Sequence, residues 1–441
     1  MRGGATVQHS QKRTTRPRLD VERVELPNGL VLLLSESHAN PSISLNAIVG
    51  AGSRFESDDR AGLASLVGSL IDAGTTSRTS QQIAETIEAA GGQLATFGEY
   101  QTSGAVVRLL SKDIALGLDV VSDLLMNATF PDAKVREHID RRAAQIKARL
   151  DVPRTLASDV FNEIVFAASP QHRPPIGYEG TVTSLTRADI DDFYRRFYVP
   201  QNTMLAIAGD IDKSMVKNIV EAKFGNWPRS AEFSTPAVGR AHRQILPITR
   251  FVTASKEQVN VIIGHVGIER KNPDYYALLV MDTILGSSPG FASRIPRILR
   301  DEQGLAYSTF SNITSTAGLD PGRFIAFIGT APENLDRAIS GLRGEIARIV
   351  DEGVTPKELE DALLYLTGSF VFHFQRNSQI AEFLLEAEVY GLGFDYLDKY
   401  PELIRAVSLE DVSRVTRKYI DPQNLTTVVV GPVDESGNVI K

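Results

Sequence analysis

The sequence predicts an α+β protein of two homologous lobes, each a mostly antiparallel sheet packed by helices. Three observations predict it. A unit reading helix, Pro-Gln-Asn, strand occurs twice, at Leu185–Asn202 and Val407–Asn424, 222 residues apart. Strand-like and helix-like stretches alternate without a steady βαβ rhythm, which favours antiparallel sheets over a doubly wound one. The chain has 441 residues, 42% hydrophobic and 23% charged, which is ample for several cores and too long for one ordinary domain.

Each copy of the repeat has the same physical grammar. Thr186 and Ser408 are N-cap residues, and Asp189 and Asp411 follow three places later, in the first turn, where the helix dipole favours an acid. About a dozen residues with apolar positions at helical spacing follow, and Pro200 and Pro422 stop them. The runs Thr203–Gly209 and Leu425–Gly431 read as buried strands.

The other elements follow in order. Ser42–Val49 alternates like a half-buried strand, Leu63–Ile71 has helical character, and Gln81–Ala90 is a helix closed by Gly91-Gly92. Ile114–Met126 and Lys134–Leu150 are further helices. In the second half Val259–Gly264 and Arg323–Ile328 read as strands, and Tyr275–Leu285, Glu333–Glu352 and Pro356–Phe372 as helices. The domain reading is a basic disordered tail over 1–18, a first lobe over 19–228, a linker over 229–245 that contains Ser, Pro and Gly, and a second lobe over 246–441.

Several function classes are disfavoured. The net charge is −7, and the one basic run (Arg2, Lys12, Arg13, Arg16, Arg18) lies in the tail, so no nucleic-acid partner is expected. No apolar stretch reaches the about 18–20 residues that span a bilayer. The N-terminus has no apolar signal region, which points to the cytoplasm, with the periplasm as the alternative had a signal been removed. There is no cysteine, hence no disulfide and no thiolate metal site. The seven histidines (His9, His38, His138, His172, His242, His265, His373) include no i, i+4 pair of the kind that converges on one zinc ion. Gly286-Ser-Ser-Pro-Gly290 matches G-x-S-x-G, but Pro289 has no N–H to donate to an oxyanion, so the stretch reads as a loop.

Four stretches carry a resemblance: Val24–Leu30 (VELPNGL); Val49–Glu56 (VGAGSRFE) followed by Gly62-Leu63-Ala64; Asp301–Ser308 (DEQGLAYS); and the two Pro-Gln-Asn units. Together they resemble the pitrilysin and mitochondrial processing peptidase family (M16), above all its bacterial processing-peptidase-like branch (M16B), over about residues 20–435. The resemblance implies that family's two-lobed metallohydrolase fold. It also implies an inverted zinc motif, H-x-x-E-H, directly after Gly-Leu-Ala. Here the two ligand positions are Ser65 and Ser69, the general-base position is Gly68, and the distal glutamate position falls at Gln145. Gly91–Thr96 also departs from the family, which shows an Asn-Ala pair on that substrate-facing strand.

In the second half the resemblance implies an Arg and Tyr seven apart that hold the substrate carbonyl and the developing oxyanion. Arg300 and Tyr307 keep that spacing, and both are donors suited to growing negative charge. The expectation is therefore a chain with no metal or cofactor of its own. It would be the non-zinc subunit of a heterodimeric peptidase, completing with Arg300 and Tyr307 a site whose zinc and HxxEH motif come from a paralogous partner, with peptides as substrates. The alternative is a catalytically inactive structural or peptide-binding homologue.

Overall fold

The structure, a computed structural model, describes residues 19–288 and 293–440. The basic tail and Pro289 and Gly290 of the G-x-S-x-G stretch lie outside the described residues.

The first lobe runs β1 (Val21–Glu25), β2 (Val31–Glu36), β3 (Ser42–Val49), α1 (Leu63–Gly68), α2 (Ser80–Ala89), β4 (Gln93–Gly98), β5 (Ser103–Leu110), α3 (Ile114–Asn127), α4 (Asp132–Leu150), α5 (Pro153–Val165), α6 (Glu179–Ser184), α7 (Arg187–Phe197), β6 (Thr203–Gly209) and α8 (Lys213–Phe224). The second runs β7 (Ile248–Thr253), β8 (Val259–Val266), α9 (Tyr275–Asp282), β9 (Ser308–Asn312), β10 (Arg323–Thr330), α10 (Leu335–Asp351), α11 (Pro356–Ser369), α12 (Asn377–Tyr390), α13 (Tyr396–Arg405), α14 (Leu409–Tyr419) and β11 (Thr426–Gly431). Residues 225–247, between α8 and β7, hold no helix or strand.

The two sheets repeat one another. The first has the order β1-β2-β6-β3-β5-β4 and the second β7-β11-β8-β10-β9. Each has a single parallel pair, β2 with β6 and β7 with β11, in which the strand after Pro-Gln-Asn lies beside the lobe's second strand in the first case and its opening strand in the second. The remaining pairs are antiparallel. The caps repeat as well. The Thr186 hydroxyl accepts from the Asp189 N–H at 3.3 Å, and Asp189 accepts from the Thr186 N–H at 2.8 Å. Ser408 and Asp411 make the same box at 3.1 Å in both directions.

Helices cover both faces of each sheet. On β2, Leu32 and Leu34 face the lobe's own helices, while Val31 and Leu33 join the core built by the second lobe. The element on that outer face is α12, which packs on β2, β3 and β6. The exchange is reciprocal. Helix α5 of the first lobe lies on β8 and β11, where Phe161 and Val165 meet Ile262, Val428 and Val430. Strands buried on both faces read as unbroken apolar runs, which is why Val31–Leu34 and Val428–Val430 do not alternate. Charged contacts tie the seam: Arg23 to Glu388 at 2.9 Å, and Arg54 to Asp320 at 2.9 Å. Among the described residues no helix is long and apolar enough to cross a membrane.

Candidate functional site

Helix α1 and the Ser69 that caps its end carry three of the four positions at which the resemblance places zinc chemistry. The helix start is fixed by Glu56, whose buried carboxyl group accepts from the backbone N–H groups of Gly62 (3.0 Å) and Ala64. That contact gives the stretch Val49–Glu56 followed by Gly62-Leu-Ala a physical meaning: the acid caps the helix. All six residues of α1 are buried. The helix ends about a turn earlier than its apolar pattern suggests, where the Ser69 hydroxyl donates back to the Leu66 carbonyl at 2.9 Å.

Ser65 and Ser69 face a cation that the sequence reading did not single out. Arg142, on α4, donates to the Ser65 hydroxyl at 2.8 Å, the Ser65 carbonyl at 3.4 Å and the Ser69 hydroxyl at 3.2 Å. Burial pushes its guanidinium below the ordinary arginine value, with Glu99 opposing from beyond ion-pair distance. Gln145 lies one turn along α4 from Arg142, and that i, i+3 spacing is the signal that could have found the arginine. Ser69, Arg142 and Gln145 line one cavity of about 400 Å³ together with Asp72, Thr96 and His138.

The fourth position is filled by backbone. A Cβ on Gly68 would lie 2.3 Å from the Phe97 carbonyl oxygen and 2.8 Å from the Gly98 Cα, both on β4. Gly98 repeats the contact from the other side, where a Cβ would stand 2.7 Å from the Ser65 Cα. Helix and edge strand thus touch through glycine, leaving no room for a side chain that could activate water.

These residues do not fit a zinc ion. Serine hydroxyls are not usual zinc ligands, and both here already accept from a guanidinium whose charge would repel a metal. Gly68 has no proton-transferring group. Among the described residues no group of three or more His, Asp or Glu side chains is arranged to hold a metal ion.

The second-lobe pair stands apart from this cavity, which neither Arg300 nor Tyr307 lines. Arg300 sits on a π-helical turn, Pro296–Glu302, and donates through Nε to the Asp301 carboxylate at 2.8 Å. Asp301, by that hydrogen bond, keeps the guanidinium protonated above even its usual range. Gly304 closes the turn in the left-handed region, its N–H donating to the Arg300 carbonyl at 3.1 Å. Leu305 is then anchored in the core, with its carbonyl accepting from Thr330 at 2.6 Å. Tyr307 emerges just before β9 with 92% of its surface exposed. The G-x-S-x-G stretch begins on a second π-helical turn, Thr283–Ser287, so a helix and not a strand precedes it, against the geometry a nucleophile elbow needs.

Comparison with known proteins bears on these arrangements. Residues 31–174 match the family model "Insulinase (Peptidase family M16)", and residues 184–366 match "Peptidase M16 inactive domain". The chain is 23% identical over 419 residues to the uncharacterized zinc protease YmxG of Bacillus subtilis, covering 95% of this chain and 99% of that protein. It is 28% identical over 411 residues to an uncharacterized zinc protease of Mycobacterium tuberculosis, covering 93% of each. Among solved structures, the peptidase M16 inactive domain from Pseudomonas fluorescens superposes with a TM-score of 0.88 at 22% identity, over 96% of this chain and 100% of that one. A protease from Helicobacter pylori gives 0.85 at 19%, over 93% and 99%. At these identities the two structures speak for the fold alone.

Proposed function

The chain belongs to the M16 peptidase-like family, and from that premise we propose that it is the non-zinc-binding subunit of a two-chain peptidase. In this reading a paralogue bearing HxxEH holds the zinc, and Arg300 and Tyr307 complete its site. The observation that carries the reading is an asymmetry. The first lobe's own chemical positions are taken by Arg142 and by the backbone of β4, whereas Tyr307 stands 92% exposed on the second lobe, seven residues from Arg300.

The partner's zinc would supply the activated water. This chain's part is electrostatic. A guanidinium and a phenol donate hydrogen bonds to a substrate carbonyl, and those bonds strengthen as charge develops on its oxygen. Arg300 is pre-paired with Asp301, so it arrives ionised and oriented, and substrate would share or displace that carboxylate.

The same pairing favours a second reading, a peptide-binding or structural homologue in which Asp301 simply neutralises Arg300. Copurification from the native organism, then a peptide-cleavage assay with each chain alone and with both, separates the two. The proposal expects an HxxEH-bearing companion, zinc in that companion only, and cleavage only with both chains present. Stoichiometric zinc in this chain alone, or full activity of the companion without it, would overturn the proposal.

A further inference from the structure

The cavity beside α1 holds an unusual charge arrangement. Arg142 bonds only neutral oxygens, those of Ser65 and Ser69, and among the described residues no carboxylate lies within ion-pair distance of it. Its cationic neighbours on the same helix are spoken for. Lys134 and Arg141 both donate to Glu137, at 2.8 and 2.6 Å. The other carboxyl of the cavity, Asp72, is held largely out of water, and burial favours its neutral form. His138 completes the wall from α4, with Thr96 facing it from β4.

A half-buried guanidinium that has given up water with only the more distant Glu99 to attract it is under-compensated, and an anion in contact is the group that compensates it. The cavity, at about 400 Å³, has room for a carboxylate and its stem. It also has a partly apolar neighbour. A groove of about 600 Å³ lined by Ile83, Ile87 and Leu94 shares Asp72 and Ser80 with it. An anion carried on a chain with apolar residues beside it matches this pair of spaces better than a free inorganic ion.

We propose that the cavity built around Arg142 is a carboxylate-binding site for peptides, taking an acidic side chain or a C-terminal carboxylate. A place that would hold a cation in a zinc enzyme has become a place with a fixed cation of its own, and its ligand preference is inverted. The site rests on the proposed function only in taking a peptide as the carrier of the carboxylate. It needs neither a partner chain nor Arg300 and Tyr307.

The test is direct binding by the full chain alone, followed by fluorescence anisotropy of short labelled peptides at low ionic strength. One amidated peptide carries an internal glutamate flanked by apolar residues, and its counterpart carries glutamine there. A third, uncharged in its side chains, is compared with a free and with an amidated C-terminus. Sodium phosphate serves as competitor. Binding of one or both carboxylate peptides about tenfold or more tighter than their neutral counterparts supports the site, and which one is preferred identifies the source. Arg142→Gln should abolish the preference, and Arg142→Lys, which keeps the charge, should retain most of it. Equal affinity for the neutral counterparts, a preference that survives in Arg142→Gln, or binding of phosphate alone would overturn it. The glutamate–glutamine contrast uses the unaltered chain, so it decides the matter even if a variant fails to fold. Failure here leaves the two-chain cleavage assay untouched, so the two ideas fail separately.

Discussion

The two lobes share a scaffold and differ in what they leave open. Five strands of each sheet correspond in order and direction, and each lobe presses a helical turn against its edge strand through glycine. In the first lobe the contact is Gly68 on β4, where a Cβ would meet the Phe97 carbonyl oxygen at 2.3 Å. In the second it is Gly286 on β9, where a Cβ would meet the Ser311 nitrogen at 2.4 Å. The position that the family resemblance assigns to a catalytic base is thus packed like its counterpart in the other lobe. The turn after that counterpart presents Arg300 and Tyr307. A duplicated fold can close a site in one copy while the other copy keeps its donors at the surface.

The largest expected effect breaks the comparison at Gly68. Gly68→Glu forces a side chain and a charge into a fully buried contact with backbone. It should cost more than about 4 kcal/mol, or prevent folding. Adding Ser65→His and Ser69→His should not recover zinc binding. Denaturant unfolding and metal analysis check both outcomes, and a well-folded, zinc-loaded triple variant would show that the first lobe is only unliganded and not closed.

The helix exchange makes the next prediction. Phe161 is fully buried against the second lobe's sheet although it belongs to the first. Phe161→Ala should cost about 3–5 kcal/mol. Its hydrogen-exchange signature should appear in β8 and β11 as well as in α5. Confinement of the faster exchange to the first lobe would break the account of a shared core.

Acid should loosen two places in the second lobe. Burial alone would push the Glu358 carboxyl up, but Arg294 and Thr355 hold it down to about 2. Burial likewise opposes ionisation of Asp274, and Lys418, Arg414 and Tyr419 hold it down to about 2. Both carboxyls sit in the second lobe. A carboxyl depressed in the folded state stabilises it above the unfolded pKa, near 4. That stability is lost as pH falls from there towards 2, by about 2–3 kcal/mol per group at most. Exchange measured at decreasing pH should therefore show α11 and α14 opening early, and Glu358→Gln should flatten that dependence.

The smallest effect on stability belongs to Tyr307. At 92% exposure, Tyr307→Phe should change unfolding free energy by less than about 0.5 kcal/mol. The same variant should slow cleavage by the paired chains about tenfold, since one donor to the oxyanion is lost. A stability loss without a rate effect would mark the phenol as structural.

Much of this architecture was legible in the sequence, for local reasons. The repeated caps at Thr186 and Ser408, the Pro-Gln-Asn breaks and the strand Ser42–Val49 are set by residues close in the chain, and they stand where the sequence places them. The exchanged helices were not legible. The run Val31–Leu34 shows that both faces are buried but not which helix covers each, and that depends on partners hundreds of residues away. The π-helical turns at Thr283–Ser287 and Pro296–Glu302 were also missed, because apolar spacing does not distinguish them from the ends of α-helices. At the site, the altered positions Ser65, Gly68, Ser69 and Gln145 could be read one by one. What replaced the lost chemistry could not, since Arg142 acts across 77 residues of sequence and the Gly68 contact is a matter of backbone distance.

The central claim is that Arg300 and Tyr307, on the second lobe, act on a site in another chain. The most direct test pairs the purified chain, unaltered or as Arg300→Ala, with its zinc-bearing companion and measures peptide cleavage at matched assembly. The account predicts a loss of about a hundredfold or more in kcat with the complex intact, the scale expected for removing a charged donor to the oxyanion. Unchanged cleavage by the Arg300→Ala pair would contradict it.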